Sequence, residues 1–175
     1  GGACRAPGKI PRYVRHDSKA PLRSTPRPTP MLPLDNYIPY LLNRAGARIA
    51  QSFSDEMRAL GTTLQAWRVL AALRDRDGQR VSELSDRTSI EISTLSRVLD
   101  GMEKQSLITR QRVSDDGRVV TLHVAPAGRR LTDRIIPIAE RYERVAITGL
   151  SGSETETLKR LLRRVYANMD GLGTP

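Results

Sequence analysis

The hydrophobic positions of residues 91–105 repeat with the period of an α-helix. Four apolar residues are spaced i, i+3, i+4 and i+7 and therefore share one face; they are Leu95, Val98, Leu99 and Met102. Small hydroxyl residues and Arg97 occupy the remaining face. The pattern is typical of an ordinary amphipathic helix with a solvated face. It equally suits a helix in the DNA major groove, where Ser, Thr and Arg side chains contact base edges.

The residues before this helix favour the second interpretation. Residues 81–88 form a short apolar-periodic stretch that predicts a helix, with Ser82 as the expected N-cap. Only Ser89 and Ile90 separate it from the longer helix. A short helix, a tight turn and a longer helix that starts with small polar residues are the spacing of a helix-turn-helix.

The residues after it alternate between apolar and polar side chains, which predicts two strands at 107–113 and 119–124. Asp116-Gly117 lies between them and is a strong hairpin signal, because glycine tolerates a positive φ. A helix-turn-helix followed directly by a β-hairpin is a winged helix-turn-helix.

Helical periodicity also covers both ends of the chain. Residues 34–60 and 64–74 predict two helices, the second capped by Thr63. Residues 126–148 and 151–170 predict two more, the last of which starts with a capping box of Ser151 and Glu154. The apolar faces of these end helices exceed what a small winged domain can cover, so we expect a symmetric homodimer.

The central stretch LSDRTSIEISTLSRVLDGMEKQSLITRQRVSDDGRVVTLHVAPAGRRL resembles the MarR family of bacterial transcription regulators. Asp116 and Arg118 match the family's wing signature, and Ala127-Gly128-Arg129 matches the start of the helix after the wing. The likeness runs from about residue 34 to about residue 172. Two positions depart from the family pattern: Ser106 stands where glycine is usual after the recognition helix, and Ala125 stands where a threonine cap is usual.

The resemblance implies a fold that is mainly α with a small β wing: a winged helix-turn-helix with six helices, in an intertwined homodimer held by the N- and C-terminal helices. Residues 34–62 and 126–172 would be dimerisation helices, and residues 63–125 the DNA-binding domain. Residues 1–33 are expected to be a disordered, basic, proline-rich tail. That tail could be a basic arm, an expression remnant, or an extension upstream of a native start at Met31.

For DNA recognition, the resemblance implies that Arg97 contacts a base or phosphate, with a structural ion pair as the alternative. Arg118 would lie in or near the minor groove, and Asp116 would hold the wing turn. Instead of contacting DNA, the serine and threonine hydroxyls could cap helices. Instead of contacting phosphates, Arg110 and Arg112 could be solvated residues of a strand. The predicted DNA-binding residues are Ser82, Ser93, Thr94, Ser96, Arg97, Arg110, Arg112 and Arg118.

Relatives of this kind usually respond to a small molecule bound between the dimerisation helices and the DNA-binding lobe. The candidate lining combines guanidinium groups with aromatic rings, which suits an aromatic carboxylate or an aryl-coenzyme A thioester. The alternative places the tryptophan in the core and the arginines in solvent or in ion pairs with Asp55, Glu56 or a partner subunit. The candidate residues are Tyr37, Tyr40, Arg44, Arg48, Trp67 and Arg68.

Charge and composition add limits. The net charge of +10 fits a polyanionic partner, but residues 1–34 carry seven basic residues and one acidic residue, so most of the excess lies in the tail. Cys4 is the only cysteine, which predicts no intrachain disulfide and makes a redox sensor unexpected. Two separated histidines, His16 and His123, do not make a metal site. No cofactor is expected.

The sequence shows no nucleophile–base arrangement and no phosphate-binding loop, so we do not expect an enzyme. Without a secretory signal or a run of about 20 apolar residues, the expected location is the cytoplasm, with no membrane partner. The predicted function is a repressor that binds a pseudo-palindromic operator as a homodimer and is released by an acidic aromatic effector. The alternative is a regulator without a ligand, including an architectural or anti-silencing DNA-binding protein.

Overall fold

The computed structural model describes residues 33–112 and 119–169. Within them, a short 3-10 turn at Leu34–Asn36 precedes six helices and a two-stranded sheet, which confirms the predicted fold class. The elements in chain order are α1 (Ile38–Ala59), α2 (Leu64–Asp75), α3 (Val81–Thr88), α4 (Ile92–Lys104), β1 (Ile108–Arg112), β2 (Val120–Val124), α5 (Pro126–Ala146) and α6 (Gly152–Met169).

The first helix begins four residues later than predicted. Tyr37 is extended, with φ −89° and ψ 108°, and Pro39 lies in the first turn of α1. A helix that began at Leu34 would place Pro39 beyond its first turn, where the missing N–H would remove a helical hydrogen bond. The start at Ile38 avoids that loss.

Two of the three predicted helix caps are confirmed. The Ala66 N–H donates to the Thr63 hydroxyl at 3.1 Å. At α6, the Ser151 N–H donates to the Glu154 carboxylate at 2.8 Å, and the Glu154 N–H donates back to the Ser151 hydroxyl at 3.3 Å.

The predicted cap at Ser82 is wrong. A cap residue must be extended and precede the helix, and Arg80 holds that position, with φ −78° and ψ 161°. Ser82 lies one residue inside α3 and its side chain is exposed. The Glu83 carboxylate instead accepts the Arg80 N–H at 2.7 Å.

The two departures from the family pattern are accommodated locally. Ser106 adopts the left-handed conformation with φ 55°, and the Leu107 N–H then closes the end of α4 by donating to the Met102 carbonyl at 2.9 Å. Ala125 precedes α5 without a side-chain cap, and Pro126 is the first helical residue, as expected.

The main hydrophobic core lies between α2, α3, α4 and the wing. Its members come from every one of these elements, so the helix-turn-helix and the hairpin form one packed unit. The fully buried residues at its centre are Val69, Leu70, Leu73, Leu84, Leu95, Leu99 and Leu122.

The two wing strands are antiparallel, with Ile108 opposite Val124 and Arg112 opposite Val120. Gln79 extends this sheet, because its carbonyl accepts the Leu122 N–H at 2.9 Å. The predicted alternation holds at fully buried Leu122, but His123 is half-buried rather than solvated. Asp77 lies against it, with 3.0 Å between Oδ2 and His123 Nδ1.

A second, smaller core joins α1 to α5. Phe53 and Met57 of α1 pack there with Ile135 of α5. The Phe53 ring contacts the Tyr142 ring edge-on, with centroids 5.2 Å apart, and the Trp67 ring, with centroids 6.2 Å apart. This core fixes the C-terminal half of α1 against the DNA-binding unit.

The outer halves of the end helices remain exposed within the chain. Thr155 is the only buried residue of α6, although that helix has a full apolar stripe. Across the described residues, no helix has the length and apolarity that crossing a membrane requires. The exposed apolar residues at the two ends are Leu34, Tyr37, Ile38, Leu41, Leu42, Ile49, Val145, Leu150, Leu158, Leu161, Leu162, Val165, Tyr166 and Met169.

Candidate nucleic-acid interface

The turn between α3 and α4 is held by a hydrogen bond from a side chain of α3 and by a buried residue of its own. Ser89 adopts a left-handed conformation with φ 52°, which reverses the chain direction. The Ser85 hydroxyl donates to the Ile90 carbonyl at 2.7 Å, and the Thr88 hydroxyl donates to the Leu84 carbonyl at 2.6 Å. Ile90 is buried, so the turn is anchored in the main core.

This anchoring sets which side of α4 faces solvent. Leu95, Leu99 and Met102 are buried, whereas Thr94 and Arg97 are exposed. Ser93 is exposed and Ser96 is half-buried. The structure therefore brings the four predicted polar residues of α4 to the outer side of the helix-turn-helix, as the periodicity indicated.

The sequence analysis missed the residue that caps α4. The Glu91 carboxylate accepts the backbone N–H groups of Ser93 at 3.1 Å and Thr94 at 3.2 Å, and also the Ser93 hydroxyl. These bonds, that from the Ser93 hydroxyl most strongly, hold the pKa of Glu91 below its usual value. A fixed negative charge thus stands at the start of α4. The sequence held only a general signal, since negative charge is favoured near a helix start, while glutamate is not among the preferred N-cap residues.

The serine hydroxyls of α4 are already engaged within the helix. Ser93 donates its hydroxyl proton to Glu91, and Ser96 donates to the Ile92 carbonyl at 2.9 Å. A hydroxyl has one proton to donate, so both serines face solvent as acceptors. Of the four predicted polar residues of α4, Thr94 and Arg97 are left as side-chain donors.

The two arginines of β1 differ in their surroundings. The Arg110 guanidinium binds Glu103 at 2.6 Å and Asp100 at 2.7 Å, both on α4, so it joins the wing to that helix. Arg112 is exposed at the end of the strand. The sequence analysis gave Arg110 two roles, a phosphate contact or a solvated strand residue. The observed bridge to α4 is a third role, which it did not consider.

Two predicted residues fall between the two wing strands in the sequence. Asp116 and Arg118 lie outside the described residues, so their roles stay predictions. At the base of the wing, Asp77 accepts the Val124 N–H at 3.0 Å as well as contacting His123, and it fixes the hairpin to the loop before α3.

The six candidate effector residues do not line one cavity within the chain. On α1, the Arg44 guanidinium stacks over the Tyr40 ring, 5.5 Å from its centroid, while Tyr37 and Arg48 are exposed. Trp67 and Arg68 line a separate, shallow depression of about 380 Å³ together with Arg87. Within one chain the six residues are therefore divided between the exposed half of α1 with the residue before it and the depression at α2, and their sharing of one effector site stays a prediction.

In the described residues, the two acidic residues of α1 named in the alternative pair with other arginines. Asp55 pairs with Arg58, and Glu56 pairs with Arg141 of α5. Trp67 does pack in the smaller core beside Phe53, as the alternative held.

Comparison with known proteins agrees with this architecture. Residues 62–120 match the model of the MarR family, and this range contains α3 and α4. A crystal structure of a MarR-family transcriptional regulator from Silicibacter pomeroyi is 34% identical, with a TM-score of 0.71; the match covers 77% of this chain and 91% of that one.

Two further relatives carry functional descriptions. The BpsR protein of Bordetella bronchiseptica, whose DNA binding is regulated by 6-hydroxynicotinic acid, is 26% identical over 74% of this chain and 98% of its own, with a TM-score of 0.67. The HTH-type transcriptional repressor IacR of Pseudomonas putida is 23% identical over 76% of this chain and 80% of its own.

The fold described above thus matches that of a MarR-family regulator over 77% of this chain and 91% of the regulator. The chain belongs to the MarR family and is a DNA-binding transcription regulator rather than an enzyme.

Proposed function

We propose that this chain is a homodimeric repressor that binds a pseudo-palindromic operator and is released by a small acidic aromatic molecule or its coenzyme A thioester. The observation that carries the proposal is the orientation of α4. Buried Leu95 and Leu99 hold the helix so that Arg97 stands exposed on the outer face of the helix-turn-helix. An exposed arginine near the start of a recognition helix suits bidentate contact with guanine.

The remaining contacts follow from the same placement. Thr94 donates to a base edge, and Ser93 and Ser96 serve as acceptors. Ser82 and Arg112 contact phosphates, and Arg118 at the wing tip lies in the minor groove, with Asp116 holding the turn. For Arg110, the double ion pair to α4 favours positioning of the wing over a phosphate contact.

The partner in the dimer is a second copy of the chain. The exposed apolar residues at the start of α1 and along α6 form faces that the chain itself leaves uncovered. Burying them between two copies removes apolar surface from water and sets the two α4 helices at the spacing of operator half-sites.

The effector class rests on side-chain chemistry and on one relative. The BpsR relative responds to 6-hydroxynicotinic acid, which is an aromatic carboxylic acid. In this chain, Trp67 offers an aromatic face and Arg68 a guanidinium in one depression. The other four candidate residues would reach that depression only from the second copy of the chain in the dimer; they are Tyr37, Tyr40, Arg44 and Arg48. The effector acts by preferring the dimer geometry that does not fit DNA.

The test is an anisotropy titration at fixed salt. The DNA is a site enriched by the wild-type protein from a random library, with and without a panel of aromatic acids and their coenzyme A thioesters. Arg97→Ala should weaken specific binding by about 1–3 kcal/mol, because the guanine contact is lost. Arg134→Ala, an exposed arginine of α5, is the matched control and should leave affinity unchanged.

Each result decides one part of the proposal. Release of DNA by one class of acid supports a ligand-responsive repressor. Tight, specific binding that no compound disturbs favours the regulator without a ligand. Equal affinity of Arg97→Ala and wild type for the enriched site would remove α4 as the reading element.

A further inference from the structure

Ile92, the first residue of α4, is exposed in a way that the rest of the fold does not explain. Its side chain is 52% exposed. Among the described residues, every other large exposed hydrophobic side chain lies on α1 or the turn before it, at the end of α5 or just after it, or on α6. Those positions belong to the proposed dimer faces. Ile92 stands apart from them, on the proposed DNA face.

The neighbours of Ile92 leave few hydrogen-bond donors at the start of α4. The Ser93 hydroxyl donates to Glu91, and the Ser96 hydroxyl, one turn further along, donates to the carbonyl of Ile92 itself. The Glu91 carboxylate is occupied by two backbone N–H groups besides that hydroxyl. At this end of the helix, the exposed side chains of the described residues that make no such bond are those of Thr94 and of Ile92, and the one at Ile92 is apolar.

Apolar side chains have one specific partner in the major groove. Thymine presents its 5-methyl group there, and cytosine presents hydrogen at the same position, so contact with the methyl distinguishes the two pyrimidines. Isoleucine is suited to this contact because its branched β-carbon restricts the side chain to few rotamers, which limits the entropy lost on binding.

We propose that Ile92 is a specificity-determining residue that packs against the 5-methyl group of a thymine in each half-site. This inference rests on the proposed function, since it requires α4 to lie in the major groove. It assigns to Ile92 a preference for thymine that rests on apolar contact rather than on a hydrogen bond.

The experiment removes the methyl group and the side chain separately. The site enriched by the wild-type protein is synthesised with each thymine replaced in turn by deoxyuridine, which keeps base pairing and lacks only the methyl. Binding is measured by anisotropy at fixed salt. We expect one thymine position in each half-site to be sensitive. Replacing it in one half-site should lower the affinity about 4-fold, and replacing it in both should lower the affinity about 15-fold, because each replacement removes one buried methyl group.

Two variants separate a direct contact from an indirect effect. Ile92→Ser should bind the thymine and deoxyuridine sites equally, because it has no apolar group to contact the methyl. Ile92→Val keeps branched methyl groups and should retain most of the discrimination. Serine is well tolerated near a helix start, and the position is exposed, so both variants should fold and should keep wild-type affinity for random-sequence DNA.

The outcomes are distinct from those of the proposed function. If no sequence is enriched, the proposed function fails. If a site is enriched but deoxyuridine has no effect at any thymine, or if Ile92→Ser retains the same sensitivity as wild type, this inference alone is overturned.

Discussion

Ser106 shows how one residue can hold an unfavourable conformation because its neighbours need it. Its φ of 55° lies in the left-handed region, which costs a non-glycine residue roughly 1–2 kcal/mol. The side chain is exposed, and the conformation lets the chain leave α4 and enter the first wing strand through the Leu107 N–H bond to Met102. The strain is therefore a local cost of connecting two packed elements.

Replacing this residue should stabilise the fold. We expect Ser106→Gly to raise the free energy of unfolding by about 1 kcal/mol, since the relief of strain exceeds the extra flexibility of the unfolded chain. Equilibrium denaturation measures the change. Gly61→Ser is the reverse control: Gly61 has φ 72° and open space around its Cα, so this variant should lose a similar amount. A stability change of the same sign in both variants would contradict the explanation.

At the scale of elements, three helices have a glutamate carboxylate at their start, at the N-cap of α4 and in the first turn of α3 and α6. Glu83 at α3, Glu91 at α4 and Glu154 at α6 each accept a backbone N–H group at a helix start. These hydrogen bonds hold the pKa of each carboxyl below its usual value; the largest cause is the Arg80 backbone bond for Glu83, the Ser93 hydroxyl bond for Glu91 and the Ser151 hydroxyl bond for Glu154.

This arrangement makes stability depend on pH in the acidic range. Because the three pKa values are lower in the folded state, the unfolded chain binds protons more readily. The stabilisation is complete above the usual pKa of 4.5 and is lost as the pH falls through the lowered values. The combined variant Glu83→Gln, Glu91→Gln and Glu154→Gln should flatten this part of the profile.

Denaturation midpoints measured between about pH 3 and about pH 7 test the effect, because this range includes the titration of glutamate carboxyl groups. The matched control replaces Glu140, an exposed residue within α5 rather than at its start, with Gln. The explanation fails if the triple variant and the control lose stability on acidification as steeply as wild type.

At the scale of the whole molecule, exposed apolar surface is concentrated on the helices at the two ends of the chain. The winged unit is closed around its own core, while α6 has an apolar stripe in which Leu161, Leu162 and Val165 are 46%, 41% and 37% exposed. A monomer would leave this stripe in water. In the proposed dimer, a second copy covers it and pairs two recognition helices at once.

Introducing a charge into the stripe should separate the copies. We expect Leu161→Glu to shift the protein from dimer to monomer at micromolar concentration and to weaken operator binding strongly, because a monomer reads one half-site. Sedimentation velocity measures the assembly. Ala167→Glu adds the same side chain on the exposed, opposite side of α6 and should remain dimeric. If wild type is monomeric, or if both variants dimerise as well as wild type, α6 is not the interface.

Periodicity and turn chemistry were sufficient to predict the elements of this fold, because α4 has a clear apolar stripe and the hairpin has Asp116-Gly117. They were not sufficient for contacts between elements. The cap by Glu91 depends on which residue is first in the helix, and the Arg110 bridge depends on how β1 crosses α4. The effector residues were grouped by helix face, but a shared face of α1 does not determine which cavity the face meets.

The Arg110 bridge has a consequence for the ionic atmosphere around the DNA. Binding becomes salt-dependent when arginines displace the cations condensed on phosphates. Arg110 is already neutralised by Asp100 and Glu103, which bring two negative charges for its one positive charge. Any phosphate near it would keep its own cation rather than release it. The dependence of affinity on salt concentration should therefore be weaker than the number of arginines on this face predicts. The difference is due to Arg110, which joins the wing to α4 instead of displacing a cation.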